Sequence, residues 1–95
     1  MLYALVVIYN KKCVDSKTLN SIEIYSNNQI KVIVFDNSET DFNNKEYCQK
    51  KGYSYYTKKK NIGLSKSYNY VIEKIKKNDN DYLIILDDDT ELNSL

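Results

Sequence analysis

Histidine and arginine are absent from these 95 residues, and only two glycines and two cysteines occur. Without histidine the chain cannot build a Ser-His-Asp or Cys-His nucleophilic site, nor a zinc site based on imidazole. All 14 basic residues are lysines, so arginine's planar, bidentate grip on phosphate or guanine is missing. Cys13 and Cys48 lie too far apart in sequence for a CxxC redox or metal pair, and they read as reduced, part-buried thiols. Two glycines exclude a GxGxxG dinucleotide fingerprint, and no GxxxxGK[ST] phosphate loop occurs. The 14 basic residues nearly cancel the 13 acidic ones, leaving a formal +1; that balance argues against nucleic acid as a partner. No apolar run approaches the ~20 residues of a membrane span, and no basic leader precedes the first one. The expectation is a soluble, cytoplasmic domain. Its chemistry must come from carboxylates, amides, hydroxyls and lysines, with or without an oxygen-liganded metal.

What is present alternates between apolar runs and amphipathic stretches. Leu2–Ile8 reads as a strand buried on both faces. A helix follows over residues 17–26, capped by Asp15 or Ser16, with Leu19, Ile22 and Ile24 or Tyr25 on one face and Asn27-Asn28 at its exit. Residues 30–35 form a second buried strand, stopped by Asp36-Asn37-Ser38. Residues 41–44 cap a short helix that runs to Lys51 and closes on Gly52. Residues 53–56 form a weaker, tyrosine-rich strand. After the basic loop 58–63, a helix begins at Leu64 or Ser65 with Leu64, Tyr68, Val71, Ile72 and Ile75 at helical spacing. A polar turn over residues 76–81 leads to a fourth buried strand, Tyr82–Leu86. The order β-α-β-α-β-α-β with short links implies an α/β fold with a parallel sheet between two layers of helices. The chain stops soon after its last strand, which reads as the first part of a larger domain.

In such folds, sites form beyond the carboxyl ends of the strands. Tyr9-Asn10, Asp36-Asn37-Ser38 and Asp87-Asp88-Asp89 all fall there. Adjacent carboxylates repel, and Mg²⁺ or Mn²⁺ would relieve the repulsion using one or two of them plus diphosphate oxygens. The same acidic segment is also ordinary chemistry for a helix start. Asp36 is either the acceptor for an imide N–H of a pyrimidine, with Tyr9 stacked on the base, or the side chain of an Asx-turn. Gly63 either opens a phosphate-facing helix start or forms a plain turn. Asn69 is otherwise a polar helix residue, and Lys58-Lys59-Lys60 is either a solvated loop or an attractor for a diphosphate or an anionic membrane surface.

Taken in order, LVVIYNKK, IKVIVFDNSE, NIGLSKSYNYVI and YLIILDDDTEL resemble the nucleotide-binding half of a family 2 inverting glycosyltransferase of the GT-A fold. The last segment looks like that family's DXD motif, in a form most similar to the rhamnosyltransferase type. The resemblance implies a Rossmann-like, three-layer fold truncated after the DXD motif. It also implies a nucleotide-sugar donor, a glycan or lipid-linked acceptor, and transfer of a hexosyl group in polysaccharide biosynthesis. Carried over by position, Tyr9 and Asn10 would flank the base and Asp36 would read it, while Gly63 and Asn69 would lie near the donor. Asp87 and Asp88 would approach the nucleotide, with Asp89 and Asp87 facing the metal. Two departures stand out: Val7-Ile8 precede Tyr-Asn where the family often has proline or threonine, and Ser67 replaces a common alanine. The family's general base and acceptor surface follow the DXD motif, so these 95 residues are not expected to transfer sugar alone.

A rival reading is a non-catalytic nucleotide-binding or self-association module. The last strand should lie at the sheet edge, where an uncovered edge invites a homodimer. A phospho-acceptor receiver-like domain would need an acidic pair after the first strand, where Tyr9-Asn10-Lys11-Lys12 stands instead.

Overall fold

Alternation of side chains along two strands sets the architecture. In the computed structural model, which describes residues 2–25, 30–75 and 81–89, β1 (Leu2–Ile8) and β2 (Ile30–Asp36) pair in parallel from Leu2↔Ile30 to Ile8↔Asp36. Ala4, Val6 and Ile8 of β1 and Val32 and Val34 of β2 point to one face; Leu5, Ile33 and Phe35 point to the other. Both faces are therefore covered. On the first lie α1 (Lys17–Tyr25), through Leu19 and Ile22, and α2 (Asn44–Lys51), through Cys48. On the second lies α3 (Leu64–Lys74), through Val71 and half-buried Tyr68 and Tyr70. Burying one leucine-sized side chain in this way stabilises by roughly 1.5–3 kcal/mol.

The sheet is completed by β3 (Ser54–Thr57) and β4 (Tyr82–Leu86), all strands parallel, in the order β3-β2-β1-β4. The predicted α/β, Rossmann-like arrangement with helices on both faces is thus the observed one. Moving from β3 to β4 crosses the whole sheet, which places the topological switch beside β1, where such folds open a crevice.

Local chemistry explains the element ends. Ser16 Oγ accepts the Leu19 N–H at 3.2 Å, so Ser16 rather than Asp15 caps α1. The α2 helix closes on Gly52, whose φ of 77° is left-handed, a conformation that glycine adopts without a Cβ penalty. Asn10 and Asn43 also take positive φ, as short amide side chains tolerate.

The structure departs from expectation in several places. β2 runs one residue further, so Asp36 belongs to the ladder instead of the turn. A 3-10 turn at Cys13–Asp15, unforeseen from periodicity, precedes α1. Cys13 and Cys48 are free thiols and fully buried, not part-buried. β4 is not a buried strand: as an edge it leaves Tyr82 69%, Ile84 39% and Ile85 43% exposed, and α3 likewise leaves Leu64 and Ile72 in solvent. A hydrophobic run reports apolar character, and it cannot distinguish a central strand from an edge strand awaiting cover. The α1 exit at Asn27-Asn28, the turn at 76–80 and residues 90–95 lie outside the described residues, as do the side chains of Ile24 and Tyr25.

Candidate functional site

The carboxyl ends of the strands come level through their register. Ile8 pairs with Asp36, and Asp36 with Thr57. Since Val6 pairs with Leu86, two further residues bring Asp88 level with Ile8. The polar groups that follow β1, β2 and β4 therefore share one edge, as the sequence suggested.

Asp36 is buried among donors. Its Oδ1 accepts the Ser38 N–H at 3.0 Å, while its Oδ2 accepts the Asn44 amide at 3.0 Å and the Tyr55 hydroxyl at 2.9 Å. A buried carboxylate needs such donors, because its desolvation is otherwise unfavourable by several kcal/mol. Burial, with the hydrogen bond to Asp36 and its charge, pushes the Tyr55 phenol well above its ordinary range. The Ser38 bond is the Asx-turn that the sequence allowed.

Asn44 is the residue that pattern reading missed. Besides Asp36 it donates to Lys11 O at 2.9 Å, and its Oδ1 accepts the Cys13 N–H at 2.7 Å. One amide thus ties the first loop to the end of β2. The only sequence signal was an asparagine at the start of a helix, which is indistinguishable from a cap. Its neighbour Cys48 sits against Cys13, whose thiol is driven far upward by that contact and by burial.

Asn10 N–H donates to Ser38 Oγ at 2.8 Å, and Asn37 N–H to Ile8 O at 2.7 Å. Tyr9, half exposed, stands on the loop these bonds secure. Gly63 caps α3 with φ 83°, its N–H bonded to Asn61 Oδ1 at 2.9 Å. Asn69 lies on the exposed side of α3, two residues from buried Ser67 and Val71 and so on the opposite face. It does not join the other groups.

The acidic segment is clamped by its backbone. Asp88 O accepts Ser16 Oγ at 2.7 Å and the Thr18 N–H at 3.3 Å, and Asp87 O accepts the Thr18 hydroxyl. Lys11 Nζ stands 3.4 Å from Asp88 Oδ2. Asp87 and Asp89 are exposed. No cluster of three or more potential metal-ligating side chains forms among the described residues. The donor set, two exposed carboxylates flanking a lysine-paired one, nevertheless suits a hard cation that takes one or two protein oxygens and completes its shell elsewhere.

An open groove of about 520 Å³ lies on the β3 side, lined by Asp36, Ser38, Lys45, Tyr55, Thr57 and Lys59 among others. Of the residues the sequence singled out it touches Asp36, Ser38 and Lys59, but not Tyr9, Asn10, Gly63, Asn69 or the acidic segment. The polar strand ends around β1 are a different place.

A parallel sheet with helices on both faces, carrying polar loops at its carboxyl edge and an acidic tip beside the switch point, is the architecture of a nucleotide-binding α/β domain. The family model described as glycosyl transferase family 2 matches residues 3–94, and the chain belongs to that family. No curated protein and no solved structure matches it. Among the described residues, no helix is long and apolar enough to cross a membrane.

Proposed function

We propose that this chain binds the nucleoside-diphosphate sugar donor of a hexosyl transfer, with Mg²⁺ or Mn²⁺. The observation that carries the reading is the clamped acidic segment. Ser16, Thr18 and Lys11 hold its backbone and central carboxylate beside the first loop, while Asp87 and Asp89 stay exposed. Asp89 and Asp87 would hold the cation, which supplies charge neutralisation at the leaving diphosphate. Tyr9 flanks the base and Gly63 approaches the donor from the start of α3. The acceptor would be a glycan or a lipid-linked saccharide, and the DDDTEL segment favours the rhamnosyl type of donor.

Calorimetric titration of UDP, dTDP and GDP, each with and without Mn²⁺, tests this. Metal-dependent binding of one nucleotide, abolished by Asp89→Ala, is the expected result. A folded chain that binds none of them, or binds equally without metal, overturns it.

A second reading, self-association, is favoured by β4, whose outer edge carries no strand among the described residues and whose Tyr82, Ile84 and Ile85 are exposed. Sedimentation velocity at rising concentration checks it. A single monomeric boundary throughout rejects it.

A further inference from the structure

Cys13 and Cys48 are the only two cysteines of the chain, and both are fully buried in the same apolar cluster. They reach it from different elements. Cys13 opens the 3-10 turn that follows the first loop, and Cys48 lies within α2. Asn44, one helical turn before Cys48 and so on the same face of α2, accepts the Cys13 N–H at 2.7 Å. That bond draws the start of the turn onto the helix, and the two thiols hydrogen-bond each other across the junction.

A buried cysteine packs as a small hydrophobe, which accounts for either residue alone but not for one thiol facing the other. A disulfide needs its two Cβ atoms within about 4.5 Å, and the thiol contact brings the pair close to that requirement. Access to the sulfurs comes from the turn and not from the sheet. Three residues of 3-10 helix, tied to α2 through Asn44, form a small unit that can open while β1 and β2 stay paired. Burial and the neighbouring thiol hold the Cys13 proton firmly in the closed state, so reaction waits on that opening.

We infer that Cys13 and Cys48 form a disulfide site, closed by a small-molecule disulfide oxidant of the glutathione class, which fastens the loop after β1 to α2. One protein thiol loses its proton and attacks the oxidant, giving a mixed disulfide and releasing one glutathione thiol. The second protein thiol, deprotonated in turn, displaces the other glutathione. Two S–H bonds become one S–S bond, and two electrons and two protons leave with the two glutathione thiols. The link then holds shut the turn whose opening admitted the oxidant. Lys11, two residues before Cys13, pairs with Asp88 at 3.4 Å, so the fastened segment is the one that reaches the acidic tip. The disulfide itself requires neither nucleotide nor metal.

The test is incubation of the folded full chain with oxidised glutathione at mildly alkaline pH, then alkylation of remaining thiols, intact mass and peptide mapping. Circular dichroism confirms the fold, and Cys13→Ala and Cys48→Ala serve as single-thiol controls. Wild type should lose two hydrogens in mass, carry no glutathione and yield one linked peptide pair, all within the monomer. Each folded single variant should stop at one bound glutathione. The urea midpoint of the oxidised chain should rise by at least ~1 M and fall back on reduction, since a link from Cys13 to Cys48 restricts the unfolded chain. The wild-type readings need no variant, so they decide the matter even where alanine unfolds the chain. Two bound glutathiones on the folded chain, or cross-linked dimers in place of the internal bond, overturn the inference. So do thiols that stay reduced when folded and oxidise only in urea. An internal bond that lowers the midpoint overturns it too, because that bond forms only in a distorted chain.

Discussion

The Asn44 amide and the Asp36 carboxylate are joined by a 3.0 Å hydrogen bond inside the fold, and the same amide also holds Lys11 O and the Cys13 N–H. Three segments distant in sequence meet on one side chain. Asn44→Ala would leave a buried N–H and a buried carboxylate oxygen short of partners. A loss of about 2–3 kcal/mol is expected, read as a lower urea midpoint at unchanged slope. A change below about 0.5 kcal/mol would show that water replaces the amide.

Tyr47 presents the opposite case. Its hydroxyl is buried and has no partner among the described residues, while its ring packs against the core beside Tyr53. Tyr47→Phe removes the unsatisfied group and keeps the ring. It should be neutral or stabilising by up to ~1 kcal/mol, and thermal unfolding decides the sign.

Alkaline pH should find a shared weakness. Burial is the first cause of raised phenol pKa values at Tyr47, Tyr53 and Tyr55, with Asp36 adding to it at Tyr55. A phenol whose folded pKa exceeds its unfolded value near 10 favours folding fully below pH 10. Above that the unfolded chain loses protons first, and stability falls as pH rises toward the folded values. Urea midpoints should be flat from pH 7 to 9 and decline steadily above ~10. Tyr55→Phe should make that decline shallower while lowering stability at pH 8 by about 1–2 kcal/mol, through the lost bond to Asp36.

Much of this was legible beforehand, and the limits have physical causes. Leu2–Ile8 and the following β-branched run announced central parallel strands because both faces are buried, which leaves no polar alternation to read. Gly52 announced a helix end because its left-handed backbone is a local requirement. Asp36 was found as a residue, yet its engagement by Asn44 and Tyr55 depends on neighbours 8 and 19 positions away. Asn37 attracted no separate role, since adjacent residues look equivalent until a strand assigns them to opposite faces. Periodicity also overstated β4, because an apolar strand looks the same in sequence whether or not something covers it.

The clamp on the acidic segment gives a prediction that separates backbone from side chain. Ser16→Ala and Thr18→Val each remove a hydroxyl that bonds the backbone of Asp88 or Asp87. Neither substitution alters a carboxylate. The double variant should weaken Mn²⁺-dependent nucleotide affinity by roughly tenfold by loosening the segment, with nucleotide binding in EDTA unchanged. Equal loss with and without metal would place the effect on the fold as a whole.

Because Asp36 and Asn37 face opposite sides of the sheet only through the two-residue repeat of β2, the partners they find, Asn44 of α2 and Ser67 of α3, depend on chain length as well as residue identity. Inserting or deleting one residue within Ile30–Asp36 would turn the amide toward α2 and the carboxylate toward α3, carrying Val32, Ile33, Val34 and Phe35 across the sheet with them. The number of residues in this strand therefore matters to both neighbouring helices as much as their identity.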